Sequence, residues 1–405
     1  MLDTAKTPVS STPPADSSAW PRRAPRRPSR WWRARRVALL VAAICLVPVL
    51  VSYVHTMTLR SDSSLGIRTV EWLRDHGARG LVNTVENWYY SLNAPAKGGP
   101  ALRSLPSQAG VFAGTPTGAG NATVTRTVHV HHFYRPHRIP PIIHPALPGE
   151  GVWHATFANG GSRPPVLITS YRPNPNYPRI VAGIAWIDHT RASVHLYPGL
   201  QEPAVPLPSR GPMEVPTSMR GGLVATFNSG FKLADSNGGF AYHGHTYAPL
   251  HDGMATLVGY GSGRVDLVAW TGGPDGGPNV VFARQDLPLI VNHGQVNPNL
   301  SNGPEWGATL GNQIFVWRSG VGIDHHGNLI YAAAPDQTVA SLAQILQHAG
   351  AVRAMELDIN SYWPSFITYR FPGARHPANL LADMVRSPLR YLTQDDRDFF
   401  AVYVR

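Results

Sequence analysis

The sequence contains one cysteine, Cys45, among 405 residues, so no disulfide can form within the chain. Small exported domains that lack a sufficient core commonly depend on disulfides. This chain must instead be stabilised by an apolar core, and its 43% hydrophobic content is normal for a globular protein. The 39 glycines and 38 prolines predict many turns and some unstructured linker.

Acidic residues are fewer than basic ones, 24 against 35, but the imbalance is local. The first 36 residues contain nine basic and two acidic side chains, so only +4 of the net +11 belongs to residues 37–405. A nucleic-acid-binding surface needs basic residues on the folded part of a protein. Composition therefore predicts no nucleic-acid partner, and an Arg run beside an apolar segment is typical of a topology signal.

Residues 37–54 form an apolar run without a charged side chain. As a helix, such a run rises about 27 Å, close to the roughly 30 Å of a hydrocarbon core. A cleavable signal peptide would have a shorter apolar region followed by an A-x-A-like site, and residues 52–57 offer none. We predict a single-pass membrane anchor, with the N-terminus in the cytoplasm and everything after Arg60 outside the membrane.

Five regions are predicted along the chain. They are a disordered basic cytoplasmic tail (1–36), a transmembrane helix (37–54), a juxtamembrane pair of helices (62–93), a Pro/Gly/His-rich linker (94–149) and a folded domain (150–405). The second helix of the pair has an apolar face at helical spacing, formed by Leu81, Val85, Trp88, Tyr89 and Leu92.

The folded region is predicted to be a single extracytoplasmic α+β domain rich in β-hairpins. Short β-type runs alternate with turns, and hairpins are predicted at 180–197, 253–270 and 321–331. One amphipathic helix is predicted at 339–349, with Thr338 as its cap and Gly350 as its stop. A strand at 351–358 follows it directly.

Two carboxylates end that last strand. Side chains alternate along a strand, so Glu356 and Asp358 are predicted to share a face, with their Cα atoms about 7 Å apart. Such a pair can divide acid and base roles, because one pKa rises while the other group stays ionised. Asn360 joins them if the chain stays extended. The alternative is a strand end that reaches solvent, with each carboxylate bonded to a neighbouring loop.

Two further turns carry cations. In the turn Asn228-Ser229-Gly230-Phe231-Lys232, the glycine lets backbone N–H groups face a ligand, and Lys232 can meet a phosphate as a point charge. Arg318 precedes Ser319 and Gly320, and a guanidinium can bind two phosphate oxygens at once. An ordinary turn and a surface arginine are the alternatives. His243 and His245 lack companion ligands at metal-binding spacing, so no metal site is predicted and the cofactor stays unknown, with a divalent metal left open.

Three segments, in order, resemble the phosphodiester glycosidase family: Asn228–Phe231, Arg318–Gly322 and Leu357–Ser361. Family members typically show an N-G-G-F-F-like turn, an Arg before a small-residue strand, and an L-D-G-G-G-S loop after a helix and strand. The resemblance covers roughly residues 150–400 and implies the family fold in a divergent, membrane-anchored, actinobacterial-type member. Ser229 replaces one glycine, and residues 359–363 replace the glycine-rich loop with bulkier side chains that reshape a sugar-phosphate pocket.

The resemblance implies a hydrolase that acts on a sugar–phosphate diester of cell-envelope glycans, with a carbohydrate or sugar-phosphate ligand. The implied acid/base residue is Asp358, with Glu356 beside it, and the implied ligand-binding residues are Asn228, Lys232, Arg318 and Asn360. The alternative is a non-catalytic envelope protein that uses the same fold to bind a wall glycopolymer or a partner protein. A cleft filled by Tyr362 and Trp363 favours that alternative.

Overall fold

The computed structural model describes residues 30–111, 134–156, 163–301, 306 and 315–405. The chain divides into two compact units between Thr58 and Leu59. The predicted α+β class is confirmed, because a β-rich domain with few helices follows one apolar N-terminal helix.

The first unit contains helix α1, Arg30–Thr58, in which no residue is buried. It is longer than the predicted 37–54 and begins inside the predicted tail, so residues 30–36 are helical rather than disordered. Helix α1 is long and apolar enough to cross a membrane, as an anchor or as a signal sequence. The predicted disorder of residues 1–29 lies outside the described residues.

The second unit begins with two helices, α2 (Leu65–Leu73) and α3 (Arg79–Leu92). The side chain of Ser64 caps α2 by accepting a hydrogen bond from the Ile67 N–H. A kink at residues 74–78 separates the helices, and Gly77 there has a φ of 87° that glycine adopts readily. We call residues 65–92 the helical hairpin.

The described strands form three antiparallel sheets. The eight-stranded sheet has the order β1-β2-β3-β14-β13-β15-β11-β12, with bounds β1 His154–Ala155, β2 Val166–Tyr171, β3 Ala182–Ile187, β11 Val291–Asn292, β12 Gln295–Val296, β13 Val316–Ile323, β14 Leu329–Gln337 and β15 Arg353–Ile359. One five-stranded sheet has the order β7-β6-β10-β8-β9, with bounds β6 Phe240–Tyr242, β7 His245–Ala248, β8 Met254–Tyr260, β9 Val265–Ala269 and β10 Val280–Pro288. The other has the order β17-β16-β5-β18-β4, with bounds β4 Ala192–Tyr197, β5 Leu223–Asn228, β16 Phe366–Arg370, β17 Arg375–Asn379 and β18 Phe399–Val404.

The main core lies between the three sheets and includes Ile187, Phe227, Leu257, Leu357 and Phe400. A second core lies under helix α5, Val339–His348, whose apolar face packs on the eight-stranded sheet. The helix starts as predicted, because the side chain and backbone of Thr338 form a capping box with Ser341. At Gly320 on β13, a Cβ atom would lie 2.8 Å from Leu346 of α5, so glycine there permits the close approach of the helix. A short helix, α4 (Leu233–Ser236), follows the turn after β5.

Two of the three predicted hairpins are confirmed, since β8 pairs with β9 and β13 with β14. The hairpin at 180–197 is wrong. Strand β3 pairs with β2 and β14, whereas β4 pairs with β18 in a different sheet. The turn at 188–191 has hairpin-like sequence, but it carries the chain from one sheet to another, which local residues cannot specify.

Part of the predicted linker packs against the folded domain. Leu102, Leu105 and Val111 contact the main core, and Ile139 is buried with its N–H donating to the Gly151 carbonyl. The described parts of residues 94–149 therefore do not form a free spacer. Apolar side chains between the prolines provide the contacts that hold them to the domain.

Candidate functional site

Strand β15 contains an irregularity between its two carboxylates. Glu356 pairs with Gly320 and Ile359 pairs with Arg318, so three steps on β15 match two steps on β13. One extra residue interrupts the alternation of side chains. The predicted shared face of Glu356 and Asp358 is therefore wrong as a simple strand pattern, and the two carboxylates have different cationic partners.

Glu356 is paired with Arg318, and both side chains are fully buried. The Arg318 Nη1 donates to Glu356 Oε1 at 2.5 Å, and its Nε donates to the Gln337 carbonyl at 2.8 Å. Burial raises the pKa of Glu356, and Arg318 opposes that rise. The guanidinium is thus bound inside the protein, which makes Arg318 a partner of Glu356 rather than an open phosphate ligand.

Asp358 is paired with Arg397. The Arg397 Nη2 lies 2.9 Å from Asp358 Oδ2 and 2.8 Å from the Gly230 carbonyl oxygen. Burial raises the pKa of Asp358 to about 7, Arg397 opposes the rise, and the negative charge of Glu71 adds to it. A carboxyl group with this pKa exchanges a proton near neutral pH, as a general acid or base must.

A third carboxylate, Asp286, lies on the other side of the Gly230 turn. Its Oδ2 accepts a hydrogen bond from the Phe231 N–H at 3.1 Å, and its buried Oδ1 has no hydrogen-bond partner. A Cβ at Gly230 would lie 1.9 Å from Asp286 Oδ2, so only glycine fits between them. Burial raises the pKa of Asp286 well above its usual range, Arg284 opposes the rise, and Asp358 and Glu356 add to it.

The Asn228 side chain joins β5 to β13. Its Nδ2 donates to Ser319 Oγ at 3.1 Å, and Ser319 Oγ donates to the Asp358 carbonyl at 2.8 Å. Its Oδ1 accepts from the Tyr331 hydroxyl and the Ser365 N–H, both at 3.0 Å. Asn228, Arg318 and Asp358 are therefore linked through Ser319 and its strand, but the Asn228 amide is used internally rather than turned toward a ligand.

The helical hairpin contacts Lys232, which begins helix α4. The Lys232 ammonium forms an ion pair with Glu71 and lies 3.6 Å from Asp75. Burial alone would raise the pKa of Glu71, but Lys232 and Arg397 outweigh it and hold that pKa below its usual value. We call Glu71, Lys232, Asp286, Asp358 and Arg397 the acid–cation cluster. In this cluster the carboxylate next to Lys232 is that of Glu71, from the helical hairpin.

The loop after β15 packs around the cluster. Asn360 has a φ of 67° and its side-chain oxygen accepts a hydrogen bond from the Tyr362 N–H. The Trp363 ring is almost fully buried and lies 4.7 Å from the Arg397 guanidinium carbon. The guanidinium carbon of Arg386 lies 4.3 Å from the centre of the Tyr362 ring. The Tyr362 hydroxyl accepts a hydrogen bond from the Ser64 N–H. Trp363 therefore packs against the cluster at Arg397, whereas Tyr362 packs against Arg386 outside it.

Sequence reasoning missed Arg397, Glu71 and the role of Asp286. One signal was available: the run Asp395-Asp396-Arg397-Asp398 lies directly before the apolar strand β18, where charges are costly unless they are paired. Arg284 and Asp286 give a similar signal, as two fully buried charged residues inside β10. The Arg284 Nε donates to Asp398 Oδ2 at 2.8 Å, which ties the two signals together.

Across residues 30–111, 134–156, 163–301, 306 and 315–405, no group of three or more His, Cys, Asp or Glu side chains is arranged to hold a metal ion. The carboxylates of the cluster are paired with guanidinium and ammonium groups instead.

These features define an α+β domain with a buried acid–guanidinium site at the end of a central strand. The family model for phosphodiester glycosidase matches residues 215–358. The match confirms the resemblance predicted from the sequence, over a shorter range than the predicted 150–400. It includes Asn228, Lys232, Arg318, Glu356 and Asp358, while Asn360 and Arg397 lie beyond it.

Solved structures show weaker similarity. The zebrafish N-acetylglucosamine-1-phosphodiester alpha-N-acetylglucosaminidase catalytic domain, auto-inhibited by its pro-peptide, is 15% identical, with a TM-score of 0.42 over 62% of this chain and 88% of that one. A hypothetical protein from Synechocystis is 14% identical, with a TM-score of 0.37 over 59% of this chain and 62% of that one. No curated protein matches.

Proposed function

We propose that this chain is a membrane-anchored hydrolase that cleaves a sugar–phosphate diester of cell-envelope glycans, with its N-terminus in the cytoplasm and its domain outside. The observation that carries the proposal is the pairing of Asp358 with Arg397 at the end of β15. The phosphodiester glycosidase match, which ends at Asp358, supports the same reaction class.

The chemistry follows from the charges around Asp358. Its pKa of about 7 gives a mixture of the acid and the carboxylate at neutral pH, so it can donate a proton to the oxygen that departs when the diester linkage breaks. The Arg397 guanidinium and the Lys232 ammonium supply positive charge that stabilises a phosphate. The buried Asp286, with one free oxygen, is the second acid/base candidate at this position.

In the described conformation Glu71 pairs with Lys232, so a phosphate must displace this carboxylate before it can bind there. The anionic Glu71 carboxylate lies next to Lys232, at the place where the phosphate of the substrate is proposed to bind. Arg318, Glu356 and Asn228 have internal partners, and we assign them to positioning strands β13 and β15.

A non-catalytic envelope protein is the second candidate. It is favoured by the Trp363 ring against Arg397 and by the hairpin contact at Lys232, because both reduce access to the cluster. Such a protein would bind an anionic wall glycopolymer, or a partner protein, without turnover.

The deciding experiment uses the full chain in detergent, because residues before 150 pack against the domain and contribute Glu71. Aryl phosphodiesters of a hexose and of an N-acetylhexosamine are offered as substrates, with and without added divalent metal. Turnover by the wild-type chain supports the hydrolase. Binding of a wall glycopolymer with no turnover of either substrate supports the second candidate.

A further inference from the structure

Helix α3 presents an exposed apolar stripe. The stripe consists of Leu81, Val85, Trp88, Tyr89 and Leu92, whose side chains are 55–67% exposed. They recur at helical spacing, so they lie along one side of a 14-residue helix. Soluble proteins rarely leave a contiguous row of large apolar side chains in water, and such rows commonly mark interaction surfaces.

The opposite side of α3 already has partners. Val82 is buried, Tyr90 packs against the second core, and Glu86 pairs with Arg74 at 2.5 Å. Arg79 at the start of the helix pairs with Asp235 of α4. The domain thus fixes the inner side of α3, and among the residues that the structure describes the stripe remains an exposed outer surface.

The connection in sequence between the membrane-spanning candidate and the folded unit is short. Only Leu59 and Arg60 lie between the end of α1 and Ser61, whose hydroxyl donates to Asp396 Oδ2 at 2.5 Å. Asp62 then accepts from the Asp396 N–H at 3.0 Å and pairs with Arg386. An extended residue spans at most about 3.6 Å, so the connection of two residues between helix α1 and Ser61 is short.

We infer that the stripe of α3 is a lipid-binding surface that lies in the interface of the leaflet facing the folded domain. Trp and Tyr prefer the headgroup level, and Leu and Val favour the boundary with the acyl chains. A second copy of the chain is a poorer occupant, because five side chains are far fewer than the roughly 20–30 residues per side of a stable protein interface. The inference rests on the membrane anchoring in the proposed function, but not on catalysis.

The test uses the full chain in nanodiscs of phosphatidylethanolamine and phosphatidylglycerol, each with one copy of the protein. Cys45, the one native cysteine, is replaced by Ala, and single-cysteine variants Leu81→Cys and Trp88→Cys carry an environment-sensitive fluorophore. Ser262→Cys in the exposed β8–β9 turn is the matched control. Nitroxide-bearing lipids and aqueous iodide are the two quenchers, and anchoring is checked separately by resistance to carbonate extraction of membranes.

We expect lipid nitroxides to quench the labels at 81 and 88 several-fold more than the label at 262, and iodide to show the opposite order. Strong iodide quenching at 81 and 88 in a carbonate-resistant protein would overturn the inference while leaving the anchor intact. Labels at 81 and 88 shielded from both quenchers would also overturn it, because another segment of the chain would then cover the stripe. Extraction by carbonate would overturn the anchor and with it the inference, whereas turnover of phosphodiester in the same samples reports on the hydrolase alone.

Discussion

Arg397 bridges Asp358 and the Gly230 carbonyl with a single guanidinium nitrogen, at 2.9 and 2.8 Å. One side chain from the segment before β18 thereby joins the acidic end of β15 to the turn after β5. The contact places a permanent positive charge beside a carboxyl group whose pKa is near neutrality.

Asp358→Asn is expected to reduce turnover of an aryl sugar phosphodiester by about 10²–10⁴-fold, because the amide keeps the shape but cannot transfer a proton. Steady-state kinetics of the full chain measure the loss. Asp383→Asn, at an exposed position, is the control and should retain wild-type turnover. Equal activity in Asp358→Asn would assign the proton transfer to another group, with Asp286 and then Glu356 as the next residues to replace.

The activity of the wild-type chain is expected to fall as pH rises through about 7, because the acid form of Asp358 is lost there. The charge of Glu71 raises this pKa, so Glu71→Gln should move the falling limb to lower pH. Glu86→Gln is the control. It removes a different carboxylate of the helical hairpin, one that pairs with Arg74, and should leave the falling limb of the pH–activity profile in place. A limb that does not move in Glu71→Gln would mean that another group titrates.

The effects of replacing Arg397 and Arg318 should differ in whether they depend on the phosphate group of the substrate. Arg397→Lys is expected to lose more activity on the phosphodiester than on an aryl glycoside without phosphate, because a point charge cannot reproduce planar two-oxygen contact. Arg318→Lys should affect both substrates alike, since Arg318 is bound to Glu356 and Gln337. Comparison of kcat/KM for the two substrates measures this difference, and a phosphate-specific loss at Arg318 would contradict the structural assignment.

Asp398→Ala is expected to destabilise the folded domain by about 3–5 kcal/mol, because it leaves the fully buried Arg284 without its charge partner. Denaturant unfolding followed by tryptophan fluorescence measures the change. Arg264→Ala breaks the partly exposed Arg264–Asp266 pair and should cost less than about 1 kcal/mol. Equal effects of the two substitutions would contradict the role given to burial.

Topology is tested by protease added to intact spheroplasts. With the N-terminus in the cytoplasm, the protease should digest the domain and leave the basic N-terminal tail protected. An epitope at each end of the chain reports the two outcomes. A protected domain with a digested tail would reverse the proposed orientation.

Local signals in the sequence predicted those elements that depend on neighbouring residues. Helix α5 was predicted to within one residue because Thr338 and the apolar spacing after it are local features. The two hairpins with short turns were predicted for the same reason. The predicted pairing of β3 with β4 was wrong because strand partners depend on contacts across the whole sheet. No residue in the turn between them distinguishes a hairpin from a connection between two sheets.

The candidate site was predicted in part. Asp358 was named as a candidate from the sequence, but its ion-pair partner Arg397 was not, because the two residues are 39 positions apart and neither segment carries a motif that refers to the other. The extra residue in β15 depends on pairing with β13, so the predicted face of Glu356 was also beyond local reasoning. Glu71 was missed because helices beside a membrane were not expected to supply charge to the domain.

The contact between Asp62 and Asp396 joins positions 334 residues apart. Helix α1 and the helical hairpin are synthesised long before Arg386 and Asp396, which hold the segment before the helical hairpin. That attachment can form only after the chain has emerged as far as Asp396, and such distant contacts are late events in folding. The order of synthesis therefore makes this attachment a late step relative to the formation of the helical hairpin.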